Sequence, residues 1–142
     1  MATSADDATA AGKPDNIADA IDAIEETYDF LLAYAAQGRE PETADPMGVR
    51  LYLTRAVDGI DYLGAVKAAE LGASEGSIAD ATGSLLAVLR DDAMKARAAI
   101  SFILAQPAIG SQMIDNLNAS IHLRALLTDI FLLDETLGER EA

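Results

Sequence analysis

The chain contains no cysteine and no tryptophan, and only one histidine among its 142 residues. Without thiols it has no disulfide framework, iron–sulfur ligation, cysteine zinc site or cysteine nucleophile, a composition that fits a cytoplasmic protein. A di-iron carboxylate bundle needs a Glu-x-x-His pair from each of two helices. Here His122 stands alone, with Ala at position 119. Positive charge is scarce as well. Ten Lys and Arg face 24 Asp and Glu, for a formal net charge of −14, so direct binding to nucleic acid or to an anionic membrane surface is not expected. The most apolar stretch, Ile121 to Leu133, is interrupted by His122, Arg124 and Asp129. It falls short of the ~18 apolar residues of a membrane span. The opening residues MATSADDATAAGKP are acidic where a secretion signal needs a basic stretch followed by an apolar run, so secretion is not expected. Neither a Walker-type loop nor Gly-x-Gly-x-x-Gly occurs, and no nucleotide or other cofactor is implied.

What the chain does have is helical periodicity. Asp15, Asp19, Asp22, Glu26 and Asp29 recur at spacings of four, three, four and three in a segment without Lys or Arg. That rhythm stacks them along one edge of a helix. Ile17, Ile21, Ile24, Tyr28, Leu31 and Ala35 keep the same rhythm two residues later and form an apolar seam. Neighbouring like charges cost about 0.2 to 0.5 kcal/mol per pair. The two acids nearest the helix start recover about 0.3 to 1 kcal/mol apiece from the helix dipole. The two effects nearly cancel, so the fold tolerates the ladder unaided.

Further seams follow. Val49, Leu53, Ala56, Ile60 and Leu63 mark a second helix, and Leu86, Leu89, Ala93, Ala96, Ile100 and Ile103 a third. In a fourth, Ile114, Leu117 and Ile121 give way to Leu123, Leu126, Ile130, Leu133 and Leu137 on a shifted register. Asp15 or Asn16 is suited to cap the first helix and Gly38 to end it. Asp45-Pro46 suits the start of the second, and Pro107 bounds the third. No alternating strand pattern appears. The expected fold is all-α: an antiparallel up-down-up-down four-helix bundle with helices at about 15–37, 46–71, 78–106 and 111–137. Residues 1–13 are expected to form a flexible arm ahead of a single domain spanning 14–142.

The second half of the fourth helix is apolar almost all round, which suits a helix shared with a partner. Leu123, Leu127, Phe131 and Leu132 are therefore the expected oligomer face, giving a homo-oligomer. The ladder Asp15, Asp19, Asp22, Glu26 and Asp29 is the candidate docking face for a basic protein. Carboxylates rising along a regular helix do not converge as a calcium loop requires, so no metal is assigned to them. Five of them over about 21 Å also imitate the charge spacing of a nucleic-acid strand, loosely. Tyr28, Asp61 and Tyr62 are the candidates for an inter-helix pocket. Asp91 and Asp92 are a pair whose acid–base competence depends on an environment that splits their pKa values.

Ser120–Ile130 resembles the phosphoacceptor box of sensor histidine kinases through Leu123-Arg124 and Leu127-Thr128. In that alignment Ile121 stands where the phosphorylated histidine belongs, so phosphotransfer is not expected. The expectation is a non-enzymatic acidic bundle that self-associates and acts through protein–protein interaction as an adaptor, accessory subunit or regulator. A small-molecule-binding or catalytic bundle is the alternative, and an acidic nucleic-acid mimic a further one. Adaptation to a salty cytoplasm would also account for the acidity.

Overall fold

A computed structural model describes residues 12–72 and 76–141, with side chains described through Thr136. Most of the expected N-terminal arm lies outside the described residues. Five α-helices and one short 3₁₀ helix make up the described chain: α1 Ile17–Ala36, α2 Val49–Gly64, the 3₁₀ turn Ala68–Leu71, α3 Gly76–Leu104, α4 Ser111–Ala119 and α5 Ile121–Glu141. None is long and apolar enough to cross a membrane.

Local chemistry sets the boundaries. Asn16 caps α1 by accepting the Asp19 N–H on its side-chain oxygen at 2.8 Å. The second helix starts later than expected, because Pro46 and Met47 lie in a turn and Gly48 adopts a left-handed conformation with φ 78°. Asp45 reaches across that turn, and its two carboxylate oxygens accept from Val49 N at 2.8 Å and Arg50 N at 3.0 Å. The second helix also stops earlier, at Gly64 rather than residue 71. Arg90 on α3 donates to the Gly64 and Val66 carbonyls at 3.1 and 2.5 Å. Those contacts hold the chain end open, and Val66 turns into the core.

The expected fourth helix is two helices. Ser120 leaves helical geometry with ψ 132°, and its hydroxyl accepts the His122 N–H at 3.2 Å. The break lets α4 and α5 follow different partners: α4 packs chiefly on α1, and α5 on α3. Elsewhere α1 packs on α2 and α2 on α3. One core joins them, with Ile21, Ile24, Leu31, Leu53, Leu63, Leu86, Leu89, Ile100, Ile114, Leu126 and Ile130 among its fully buried side chains.

At Gly59 the backbones of α1 and α2 come too close for a side chain. A Cβ there would lie 2.8 Å from the Ala20 carbonyl oxygen and 3.0 Å from Ile24 Cγ1.

Candidate functional site

The split of the fourth helix opens a groove. Because α4 leans toward α1 while α3 runs on beneath α5, the C-terminal half of α3 and the length of α4 do not close on each other. The resulting cavity, about 600 Å³, is lined by Pro41, Ala99, Phe102, Ile103, Gly110, Gln112, Met113, Asn116, Leu117 and Ser120. Its floor is apolar. Gln112 and Asn116, four residues apart on α4, and Ser120 at its end place uncharged hydrogen-bonding groups along the groove. Phe102 stands 66% exposed on the α3 side. Among the described residues no ionisable side chain lines the groove, in a chain that carries 24 acids.

The closed end of the groove is built rigidly. Arg50 on α2 donates to the carbonyls of Leu104 and Gln106 at 2.9 and 2.6 Å, which satisfies the C-terminal end of α3. Ser111 N–H donates to the Arg39 carbonyl at 2.9 Å, and Ser111 Oγ donates to the Tyr34 carbonyl at 2.7 Å while accepting the Arg39 N–H at 2.8 Å. Tyr34 OH donates to the Ile109 carbonyl at 3.0 Å, and its own ionisation is pushed up, chiefly by burial. Gly110 is packed so closely that a Cβ would meet Pro41 N at 2.7 Å. These contacts fix the start of α4 against the loop after α1. A smaller polar depression adjoins the groove through Pro41 and Gln112 and carries Arg39, Glu40 and Asp115.

All five ladder acids are exposed, four of them on α1 and Asp15 just ahead of its cap Asn16. Glu26 receives Arg55 of α2 at 3.1 Å, so the ladder gains one counter-charge from a neighbouring helix. It also gains an opponent in Asp134 of α5. Partial burial first, then Glu26, Asp134 and Asp19, raise the Asp22 pKa, and burial followed by Asp134, Asp22 and Asp29 raises that of Glu25.

The expected oligomer face divides. Leu123 and Leu127 are buried in the chain's own core, whereas Phe131 and Leu132 are each 53% exposed. Ile121, read from the sequence as a seam residue, is 76% exposed because the break at Ser120 turns it outward. Tyr28 and Tyr62 pack half-buried against the core. Asp61 instead faces α3, where Arg97 donates to its two oxygens at 2.6 and 3.2 Å. The depression beside Asp61, about 200 Å³, is lined by neither tyrosine. That depression does not unite Asp61 with the two tyrosines. His122 is exposed.

A second paired arrangement lies between α3 and α5. Asp129 is only 7% exposed, and its Oδ2 has no hydrogen-bond donor. Burial first, then hydrogen bonding to Asp92 and repulsion from its charge, push the Asp129 carboxyl up to about 7. Asp91, the other member of the sequence pair, turns away to Lys95 at 3.1 Å. Among the described residues no group of three or more His, Asp or Glu side chains is placed to hold a metal ion.

Nothing in the sequence marked the groove, since Phe102 and Met113 look like ordinary seam-flanking residues. The signal that existed was the change of apolar register near Ser120. Comparison with models of protein families, with curated proteins and with solved structures finds no match to this chain.

Proposed function

We propose that this chain is a non-enzymatic acidic helical protein acting through protein–protein contact, and that the groove between α3 and α4 takes the apolar face of an amphipathic helix from a basic partner. The observation that carries this reading is the lining of the groove: Ala99, Phe102, Ile103, Met113 and Leu117 without an ionisable group. Such a surface offers no carboxylate, imidazole or amine to act as acid or base, whereas helix-in-groove recognition needs an apolar trough with hydrogen-bonding edges. Charge complementarity sets the partner's sign. The groove is neutral, but the surrounding chain has a net charge of −14, so a helix with basic residues outside its apolar face is attracted and an acidic one repelled.

The architecture in this reading is an up-down-up-down four-helix bundle whose fourth arm is α4 with α5. Reciprocal capping supports antiparallel α2 and α3: Arg50, at the start of α2, reaches the end of α3, and Arg90 on α3 reaches the end of α2. Self-association is proposed as well, through the outward side of α5, where Ile121, Ala125, Thr128 and Leu132 follow one another at spacings of four, three and four.

Phe102→Asp tests the groove, because that side chain is exposed and its replacement leaves the core intact. Titration by fluorescence anisotropy with a helical peptide, Leu and Ala on one face and Lys on the other, should show binding to the native protein. Binding should weaken at least tenfold in the variant, and an acidic twin of the peptide should not bind. No binding of the basic peptide, or equal binding by both proteins, would overturn the reading.

A further inference from the structure

The outward side of α5 carries a hollow beside its exposed apolar residues. This depression, about 430 Å³, is lined by Ile121, Arg124, Ala125 and Thr128 together with Ala119. Positions i, i+3, i+4 and i+7 of one helix are the four that frame a hole for a knob from a facing helix. The small side chains of Ala119 and Ala125 leave the hollow open. Ile121 at its edge is 76% exposed, and Leu132, one turn beyond Thr128 on the same face, is 53% exposed.

Charge is sorted along the same helix. From Ile121 to Thr128 α5 carries Arg124 and no acid, whereas from Asp129 to Thr136 it carries Asp129, Asp134 and Glu135 and no base. Arg39, Arg55, Lys95 and Arg97 each meet a carboxylate of their own chain, and Arg50 and Arg90 meet backbone carbonyls. Among the described residues no carboxylate pairs with the Arg124 guanidinium, in a chain with 24 acids. Glu135 is exposed and lies eleven residues beyond Arg124, close to three full turns, so the two share one edge of the outward face.

Granting the self-association through α5 proposed above, we propose that two copies pack their α5 helices antiparallel about a two-fold axis at Thr128, with Leu132 of each filling the other's hollow and Arg124 of each meeting the partner's Glu135. A two-fold pairing uses one surface twice, so the hole and its knob must lie on the same face, as they do here. Seating Leu132 in the hollow brings Arg124 level with the partner's Leu132, three residues short of the partner's Glu135. Helical side chains lean toward their own N-terminus, and in an antiparallel pair that direction carries Arg124 toward the partner's Glu135. The antiparallel two-fold also sets the same edge of each helix against the other. A parallel pair would place Arg124 level with Arg124 and acids level with acids. Charge complementarity therefore selects the antiparallel arrangement, and it lets two copies of net charge −14 meet at a locally attractive patch.

Exchange of the two charges tests the contact, and both side chains are exposed, so neither substitution disturbs the core. In sedimentation equilibrium, Arg124→Glu and Glu135→Arg should each weaken dimerisation by roughly tenfold or more. The double variant exchanges the charges at both symmetric contacts and should return to within about threefold of the native affinity. Because the chain has no cysteine of its own, single cysteines report the register. Thr128→Cys should oxidise to a disulfide-linked dimer, since it lies at the axis. Ala125→Cys should not, because three residues off the axis in each copy separate the pair by about 9 Å along the helices. A native protein that stays monomeric at micromolar concentration removes the self-association itself, and this pairing with it. A native dimer that Arg124→Glu leaves unchanged, that the double variant does not rescue, or that Ala125→Cys links in place of Thr128→Cys overturns the antiparallel pairing alone.

Discussion

At Asp129 the carboxyl is buried beside Asp92, so losing its proton is harder in the folded chain than in the unfolded one. Below the ordinary value of 3.8 both states hold the proton and folding loses nothing. Between there and about 7 the unfolded chain ionises first, and the folded state loses stability steadily with rising pH. A shift of that size corresponds to something on the order of 2 to 4 kcal/mol. Urea unfolding between pH 4 and 8 should show this decline in the native protein and a flatter profile in Asp129→Asn.

Glycines give a second test at the residue scale. Gly59→Ala forces a Cβ against the Ala20 carbonyl and should lower stability by about 1 to 3 kcal/mol. Gly83→Ala in α3 meets nothing within 4 Å and should raise it by about 0.5 to 1 kcal/mol. Thermal melts of the two variants should move in opposite directions. Gly59 and Gly64 both lie within α2, and the approach of α1 distinguishes Gly59 from Gly64, where an added Cβ meets nothing within 4 Å.

Helices are where reading the sequence succeeded most. The seams through Leu53 to Leu63 and Leu86 to Ile103 are buried as their spacing requires, because a period of 3.6 leaves little choice of face. Ends were harder to read, since they depend on groups from other helices. Gly64 ends α2 where the Arg90 guanidinium meets its carbonyl, and Arg90 lies 26 residues further on. Arg90→Ala leaves two carbonyls without that donor and should cost about 1 to 3 kcal/mol in chemical denaturation.

The break at Ser120 shows the same limit. Asn118-Ala119-Ser120-Ile121 contains no proline or glycine, and local propensity permits a continuous helix. What separates α4 from α5 is that one seam fits α1 and the next fits α3. The register change from Ile114 and Leu117 to Leu123 and Leu126 was the visible trace of it.

For the whole molecule, charge and surface patterning carry the expectations. With a net charge of −14 and α5 bordered by acids on two flanks, added KCl should raise the melting temperature through screening. If the acidity serves a salty cytoplasm, that gain continues steeply into molar KCl; a plateau below about 0.3 M fits ordinary screening. Phe131 and Leu132 are the parts of the expected oligomer face that remain outside the core. Sedimentation of the native protein should show a dimer or larger species at micromolar concentration, reduced to monomer by Leu132→Asp with Phe131→Asp. A native monomer would remove the proposed self-association.

The order of residues by itself determined the all-helical class, the outward placement of the acidic ladder and most of the core, because each depends on periodicity within one helix. It did not determine the groove, the Asp92–Asp129 contact or the fate of Leu123 and Leu127. Those depend on which helix lies beside which. Asp129 is an ordinary surface acid along its own helix; it becomes buried only when α5 docks on α3. The groove exists for a related reason: α4 and α5, joined at one non-helical residue, satisfy two different neighbours and leave the apolar floor between α3 and α4 open.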